Sequence, residues 1–251
     1  MEIPLHTRLD MRKNPNEIPI LYQEWRDLLF LHWEYPIDLI QNSLPPGLFV
    51  DTYQGKAYVG VIPFLMDRVS LPGLPSIPGL SHFLEVNLRT YVYDRHGMPG
   101  VWFYSLDINS FLATWAARQF FKLPYYQANL RVSKDPAGKI DYSGSRASEP
   151  NSTMHFIYQP HLANTFLAEP ESLEFFLVER YVLFTYEKNQ LFFEKVHHAP
   201  YPLLKVGLEK IENRLFEMNG LEQPQRVADH QIFSPGVNVD IFSRKLLKNQ
   251  K

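Results

Sequence analysis

ARQFFKLPYYQA, residues 117–128, is the stretch of the chain that decides the expected fold. Its first residues, 117–121, complete a stretch over residues 109–121 whose apolar side chains have helical spacing. This spacing predicts a helix with a capping side chain at its start. Pro124 then predicts a turn. Residues 125–133 alternate polar and apolar side chains, which is typical of a half-buried β-strand. The chain therefore passes here from a helix through a turn into a strand.

Residues 83–92 form the clearest strand pattern, because polar and apolar positions alternate along the whole stretch. Glu85, Asn87 and Arg89 project on the same side of that strand. One interpretation is a solvent-wetted sheet face with a weak ion pair. The other is the interior of a barrel, where alternation turns polar groups inward around a ligand. The polar face of residues 125–133 would then look into the same cavity.

Residues 117–128 resemble the segment of acetoacetate decarboxylases that carries their catalytic lysine pair. In that family the pattern is an arginine, an acid, two residues, a glycine, one residue, a proline, two lysines, one residue and an alanine. Gln119 and Lys122 replace the acid and the glycine. The positions that match are Arg118, Pro124 and Ala128.

The two lysines of this pattern are replaced by Tyr125 and Tyr126. In acetoacetate decarboxylase, desolvation and a neighbouring cation activate an amine, which forms an imine with the ketone. A phenol has no nitrogen for that imine, and with an ordinary pKa of about 10 it remains a neutral hydrogen-bond donor at pH 7. Lys122 is interpreted as a solvated lysine at a helix end. Glu85 resembles in position the conserved glutamate of that family, so the resemblance favours the barrel interior.

Over residues 22–245 the chain is similar to the bacterial family of unknown function typified by YqjF, which is grouped with the acetoacetate-decarboxylase-like fold. This resemblance implies the fold and transfers no catalytic role to any residue. The positions that carry it are Trp25, Asp27 and the segments 44–48 (LPPGL), 60–64 (GVIPF), 85–91 (EVNLRTY), 100–103 (GVWF), 123–125 (LPY) and 198–203 (HAPYPL).

Composition limits the classes of function. A net charge of −2 without a block of like charges argues against nucleic acid and anionic membrane surfaces as partners. No cysteine is present, which excludes disulfides, thiolate catalysis and zinc–thiolate sites. No apolar run approaches the ~20 residues of a membrane span, and residues 1–14 lack the apolar region of a secretory signal. We therefore expect a cytoplasmic protein with no metal, cofactor, nucleic-acid or membrane partner.

The remaining segments are interpreted from turn residues and hydrophobic spacing. The helix at 109–121 is expected to carry an apolar stripe of Phe111, Leu112, Trp115 and Phe120, with Trp115 in the core. The other expected elements are an N-terminal arm or edge strand over 1–20, a helix over 36–44, a hairpin over 48–66, a polyproline II loop over 71–80, helices over 170–178 and 203–216, a hairpin over 181–197, a last strand over 237–242 and a C-terminal tail over 243–251.

Together these patterns predict one domain over residues 1–251, of the α+β class and rich in strands. Its bent, mostly antiparallel sheet would close into a cone-shaped barrel with short helices outside, as in the acetoacetate-decarboxylase-like fold. Strand parity makes Tyr125, rather than Tyr126, the inward residue. The candidate ligand-binding and catalytic residues are Glu85, Asn87, Arg89, Tyr125, Tyr126 and Gln127, with Arg118 near the mouth of the cavity.

Three functions stay open on this basis. One is a binder of a small, partly apolar carboxylate or keto acid that lacks the Schiff-base lysine. The second is an enzyme of unknown reaction, in which Glu85 is a general base and Tyr125 donates to a carbonyl oxygen. Arg89 or Arg118 would then hold a carboxylate. The third is a non-catalytic scaffold or a homo-oligomer, for which exposed strand edges would suffice.

Overall fold

Strands dominate the computed structural model, which describes residues 2–76, 80–161 and 164–247. The thirteen strands of this part belong to one hydrogen-bonded sheet. They are β1 (Leu21–Tyr35), β2 (Leu48–Val50), β3 (Ala57–Ser70), β4 (His82–Asp94), β5 (Pro99–Ile108), β6 (Tyr125–Lys134), β7 (Ile140–Arg146), β8 (Thr153–Pro160), β9 (Val182–Glu187), β10 (Gln190–His198), β11 (Val206–Glu212), β12 (His230–Ile241) and β13 (Lys245–Leu246). The short helices are α1 (Leu5–Met11), α2 (Ile37–Ser43), α3 (Phe111–Phe120), α4 (Leu173–Val178) and α5 (Leu215–Met218).

Strand β5 closes the sheet on itself, because it has neighbours along both of its edges. One edge pairs antiparallel with β4. The other edge pairs parallel with β9 at residues 101–102 and with β6 at residues 106–108. Strands β5, β9, β10, β12, β1, β3 and β4 thereby form a closed ring, and β6, β7, β8 and β11 continue from β5 as a second wing. The predicted bent, mostly antiparallel sheet with short peripheral helices is confirmed.

Alternation along β4 divides the apolar core into two clusters. Leu84, Val86 and Leu88 pack outside the ring, together with side chains of the second wing. Phe83 and Tyr91 turn into the ring and join apolar side chains from its other strands. Burial of one such side chain contributes about 1.5–3 kcal/mol, so both clusters favour this strand register. The strand predicted at residues 83–92 is present with the predicted faces.

Residues 5–11 form helix α1, so the edge strand considered for the N-terminal segment is wrong. The helix follows Pro4, whose fixed φ is compatible with a helix start. Leu5 and Leu9, four residues apart, lie on one face and pack on the core inside the ring. Arg8 forms an ion pair with buried Asp51. These apolar contacts and this ion pair help to order a segment whose composition is mostly polar.

The hairpin predicted over residues 48–66 is wrong in its pairing. Strands β2 and β3 both lie along β4, where β2 pairs with residues 92–94 and β3 with residues 82–90. Because the two strands follow one another end to end along the same neighbour, they share no edge with each other. Among the described residues, the two arms of the expected hairpin are joined by an isolated β-bridge between Tyr53 and Lys56.

The helix predicted over residues 203–216 is also wrong, because most of it is strand β11. A register shift after Leu208 places an extra residue in β11 where it pairs with β8. Leu208 and Ile211 therefore lie opposite Tyr158 and Phe156, on the same face, and both pack on the outer core cluster. An apolar spacing of three residues, which is typical of a helix, arises here from a β-bulge.

Helix α3 is present as predicted, but its apolar stripe does not enter the core. Phe111, Leu112 and Trp115 are 74%, 54% and 60% exposed, whereas the small Ala113 is buried. The side chain of Phe120 lies outside the described part. The prediction that Trp115 belongs to the core is therefore wrong, since the helix contacts the sheet through its small residues. The expectation of a homo-oligomer stays a prediction.

Other sequence-based elements differ from the structure mainly at their ends. The helix at 36–44 and the hairpin at 181–197 are confirmed. The helix expected from residue 170 begins at Leu173, after the capping Ser172. The strand expected over residues 237–242 is the end of β12, which begins at His230. It is not the last strand, because β13 lies within the expected C-terminal tail and pairs with β10. Residues 77–79 of the expected polyproline II loop and residues 248–251 of the expected tail lie outside the described residues.

At position 122 the chain has a lysine where the decarboxylase-like pattern has a glycine. It follows helix α3 and has a φ of +56°, in the left-handed region that glycine adopts readily at helix ends. Lys122 therefore has a backbone conformation that glycine tolerates better.

Replacing Lys122 with glycine is expected to raise the free energy of unfolding by about 1 kcal/mol, because the clash of Cβ with the backbone is removed. Urea unfolding of the wild type and of Lys122→Gly measures this difference. Lys122→Ala is the matched control, since it removes the charge but keeps Cβ. An equal gain in Lys122→Ala would assign the effect to charge and contradict the conformational explanation.

Candidate functional site

A small space inside the ring is lined by side chains from most of its strands and from the start of β6. Its volume is about 60 Å³. Its walls are mainly apolar, with Phe30, Phe64 and Phe103 among the lining residues. Polar groups are concentrated in the same lining: Gln23, Glu85, Asn87, Arg89, Tyr125, Arg180, Glu194 and Tyr201.

Strand β4 supplies three of these groups, because its inward positions are two residues apart. Glu85, Asn87 and Arg89 are all buried. Within the described part of the chain, Glu85 Oε2, Asn87 Oδ1 and Arg89 Nε have no hydrogen-bond partner. Arg89 Nη2 donates to the carbonyl of Leu177 at 3.2 Å. Unpaired buried polar atoms are costly in a folded protein, so their concentration around one space indicates a site for a ligand or for ordered water.

The carboxyl group of Glu85 is held in its protonated form at neutral pH. Burial raises the pKa of Glu85 to about 8, against the opposing hydrogen bond from Asn87, and the negative charge of Asp107 acts in the same direction as burial. Asp107 is itself paired with Arg146, whose Nε and Nη2 donate to the two carboxylate oxygens at 2.7 and 2.9 Å. Glu85 has no such cationic partner among the described ion pairs.

Glu194 is a second buried acid in the same lining, and the sequence analysis missed it. It lies on β10, between the buried residues Leu191 and Val196. Burial raises the pKa of Glu194 to about 8, although Arg244 partly opposes this. Neither of its carboxyl oxygens has a hydrogen-bond partner in the part of the chain that is described. One sequence signal pointed to its burial, because Glu194 shares a strand face with Val196 and His198. An acid in a hairpin strand usually faces solvent, however, so this signal was weak.

Arg180 was also missed, because it lies between α4 and β9, where no periodic pattern assigns a direction to a side chain. Its Nε donates to the carbonyl of Phe176 at 2.7 Å, and its Nη1 donates to Asp51 at 2.7 Å. Nη2 is buried and has no partner among the described residues. Burial lowers the pKa of Arg180 to about 10, against the attraction of Asp51, so the guanidinium remains charged at pH 7.

Tyr125 lines the space from the first position of β6, where it pairs with Leu106 of β5. Burial raises the pKa of its phenol well above the usual range, and the charges of Glu85 and Glu194 raise it further. Tyr125 is therefore a neutral hydrogen-bond donor that lies within electrostatic reach of both acids. The structure brings Glu85, Asn87, Arg89 and Tyr125 together in one lining.

Three other candidate residues lie close to this lining without being part of it. Arg118 is exposed, and its Nε donates to the carbonyl of Tyr125 at 2.7 Å. The ring of Tyr126 packs against the guanidinium of Arg146, 3.8 Å from the ring centre. Gln127 accepts a hydrogen bond from Thr114 at 3.0 Å. These contacts anchor β6 and helix α3 beside the space.

Lysine is not present among the described residues of the lining. Phe121 and Leu123 belong to the lining and are buried or half-buried, whereas Lys122 between them does not belong to it. The hydrogen bond from Arg244 mainly lowers the pKa of Glu187, and the charge of Lys122 acts in the same direction. The described residues also contain no cluster of three or more histidine, aspartate or glutamate side chains that is suited to a metal ion.

The family of the chain follows from a comparison with known proteins. A family model, DUF2071, described as an uncharacterized conserved protein (COG2071), matches residues 22–238. The chain belongs to the DUF2071 family. The matched residues contain all of the lining groups named above.

The chain is also similar to a bacterial protein over most of its length. The uncharacterized protein YqjF of Bacillus subtilis (strain 168) is 37% identical over 211 residues, which cover 84% of this chain and 86% of that protein. The described helices of the DUF2071 chain include none that is long and apolar enough to traverse a bilayer.

Solved structures show which fold the DUF2071 chain has. The enduracididine biosynthesis enzyme MppR complexed with pyruvate aligns with a TM-score of 0.61 and 14% identity, covering 94% of this chain and 93% of the other. Acetoacetate decarboxylase from Legionella pneumophila aligns with a TM-score of 0.61 and 15% identity, covering 94% and 90%. At such low identity these similarities establish the acetoacetate-decarboxylase-like fold alone.

Stability should fall as pH rises, because of the two buried acids. A carboxyl whose pKa is near 4.5 when unfolded and about 8 when folded binds more protons in the folded state between these values. The free energy of unfolding should therefore decrease through this window, by up to about 1.4 kcal/mol per pH unit for each group. Urea unfolding from pH 5 to pH 8.5 measures the slope.

The variant Glu85→Gln/Glu194→Gln should lose most of that slope, because neither amide titrates. Glu222→Gln, at an exposed position, is the matched control and should keep the wild-type slope. Equal slopes in the double variant and the wild type would show that these carboxyls do not carry the proton difference.

Proposed function

We propose that the space inside the ring binds a small, partly apolar carboxylate, such as a short 2-oxo acid, without forming an imine. The observation that carries this proposal is the set of unpaired polar atoms around one apolar-walled space. Glu85 Oε2, Asn87 Oδ1, Arg89 Nε, Arg180 Nη2 and both Glu194 oxygens lack partners among the described residues. A ligand with several oxygen atoms would satisfy these groups together.

The charges of the lining favour an anion. Arg89 and Arg180 are cations, whereas Glu85 and Glu194, with pKa values of about 8, are mostly neutral at pH 7. Asp51 already lies against Arg180 and a second arginine. The lining therefore carries a net positive charge at neutral pH, and the protonated carboxyls supply hydrogen-bond donors in place of negative charges.

The volume of the space limits the size of the ligand. One water needs about 10–15 Å³ of such volume, so about 60 Å³ holds roughly four waters. A molecule with a few non-hydrogen atoms, one carboxylate and a methyl-sized apolar end matches both the volume and the aromatic walls. Pyruvate has these properties, and the similar enzyme MppR is described as complexed with pyruvate.

The absence of an imine is proposed from the residues at the lysine positions. Tyr125, at the first of the two positions, lies in the lining, and Tyr126 packs against Arg146. Neither phenol has a nitrogen to react with a ketone. The position of Lys122 outside the lining supports its interpretation as a helix-end lysine. Arg89 and Arg180 are proposed as the carboxylate partners, while Arg118 at the margin remains the alternative.

Pyruvate should bind to the wild type, and binding should weaken at least tenfold in Arg89→Lys, because a guanidinium that donates two hydrogen bonds is replaced by a single ammonium group. Isothermal titration calorimetry at pH 7 measures both affinities. Affinity should also fall between pH 7 and pH 9.5, since Glu85 and Glu194 lose their protons near pH 8 and then repel an anion.

Arg131→Lys is the control for the binding experiment, because Arg131 lies on β6 but is exposed. Its affinity should equal that of the wild type. The binding proposal would be refuted if the melting temperature of the wild type did not change at saturating concentrations of pyruvate, acetoacetate and acetate. Affinity that rises with pH would refute the assigned charge states.

A second candidate function is acid–base catalysis on the bound oxo acid, and the observation that favours it is the placement of two acids near Tyr125. A carboxylate at Glu85 would accept a proton from the carbon next to the ketone. Tyr125 or protonated Glu194 would donate to the ketone oxygen as the enol forms. Reversal of these steps in heavy water returns a deuteron to carbon, so protons and electrons balance without a co-reactant.

The wild type should accelerate exchange of the pyruvate methyl protons in deuterium oxide, read by proton NMR, if this second function holds. Glu85→Gln should lose at least 100-fold of the acceleration, because general base catalysis typically contributes 10²–10⁴-fold. Borohydride reduction with pyruvate present should add no mass to the protein. Binding of pyruvate without proton exchange would support the binding function and exclude the catalytic one. A stoichiometric adduct on Lys122 would refute the imine-free chemistry.

A further inference from the structure

Helix α1 contacts the ring through an arginine that binds a buried carboxylate. Arg8 Nη1 and Nη2 donate to Asp51 Oδ2 and Oδ1 at 2.7 and 2.8 Å. Asp51 lies just after β2 and is buried. Its Oδ2 also accepts the hydrogen bond from Arg180 Nη1 at 2.7 Å. Asp51 therefore joins an arginine of the N-terminal helix to an arginine of the lining.

This arrangement leaves Arg180 with one nitrogen directed to the space. Its guanidinium lies over the rings of Phe176 and Tyr91, at 4.3 and 5.0 Å from their centres. Nε is bonded to the carbonyl of Phe176 and Nη1 to Asp51. Because Arg8 occupies both oxygens of Asp51, Arg180 makes a single bond to that carboxylate and keeps Nη2 unpaired.

A second arginine, the C-cap residue just after helix α1, has a parallel contact. Arg12, one turn after Arg8, lies 3.3 Å from Glu179, the residue that precedes Arg180. Glu179 accepts hydrogen bonds from the hydroxyl of Tyr181 and from the backbone nitrogen of Tyr201, the latter at 3.1 Å. Tyr201 is itself a lining residue. Helix α1 therefore holds two carboxylates that adjoin the lining.

We propose that Arg8 is a positioning residue, which keeps Arg180 available to the carboxylate of the ligand; this inference rests on the proposed binding function. The three groups Arg8, Asp51 and Arg180 carry a net charge of +1. Without Arg8 the net charge becomes zero and Asp51 Oδ1 loses its partner. Arg180 then turns its second nitrogen to Asp51, since arginine and carboxylate prefer two parallel hydrogen bonds, and the ligand loses one of its two cationic partners while Arg89 remains.

The experiment compares pyruvate affinity in the full-length wild type, Arg8→Met, Arg8→Lys and Arg180→Met by isothermal titration calorimetry. Arg8→Met should weaken binding at least tenfold although Arg8 is not in the lining, and Arg8→Lys should recover part of the loss because it keeps the charge. In the Arg180→Met background, Arg8→Met should cause no further loss. Lys13→Met, two residues after the end of the same helix and exposed, is the control and should bind as the wild type does.

A crystal structure of Arg8→Met gives a result that does not depend on the ligand. It should show both Arg180 Nη1 and Nη2 on Asp51. The positioning role would be overturned if Arg180 kept its wild-type orientation in this structure. It would also be overturned if Arg8→Met bound pyruvate as the wild type does while Arg180→Met lost affinity. If the wild type binds no oxo acid but Arg180 turns in the variant, the positioning is upheld and the proposed binding function alone fails.

Discussion

Two strands, β9 and β6, pair with the same edge of β5, and the rest of the structure depends on this shared pairing. Because the opposite edge pairs with β4, the two short parallel contacts close the ring and also start the second wing. The first contact encloses the inward face of β4, with Glu85, Asn87 and Arg89. The second contact sets the start of β6, so Tyr125 enters the same interior.

The polar groups of this interior are costly to bury. Several buried polar atoms lack partners in the described residues, and two carboxyls are held far from their ordinary pKa. Each unpaired buried group costs about 1–3 kcal/mol. The ring offsets this with two apolar clusters that surround the polar groups on all sides. A costly concentration of polar groups inside a well-packed fold is typical of functional sites.

The sequence predicts those parts of the site that follow from alternation along a strand. Glu85, Asn87 and Arg89 are two residues apart on a strand with an unbroken pattern, and parity alone separates Tyr125 from Tyr126. Glu194 could not be assigned, since the residues of its strand do not alternate regularly between polar and apolar and an acid in a hairpin is ordinarily solvent-exposed. The direction of Arg180 depends on Asp51 and Arg8, which are remote in sequence. Strand β11 was mistaken for a helix because a bulge changes the spacing of its apolar residues.

The closed ring of seven strands has a topological consequence. In a ring whose members all run opposite to their neighbours, the number of strands must be even. Seven strands therefore require a pair that runs in the same direction, and this pair is β5 with β9. Strands of equal direction cannot be joined by a hairpin and need a long crossover. The wing strands β6 to β8, with helices α3 and α4, form that crossover, so they are an obligatory part of the architecture and not an addition to a self-sufficient barrel.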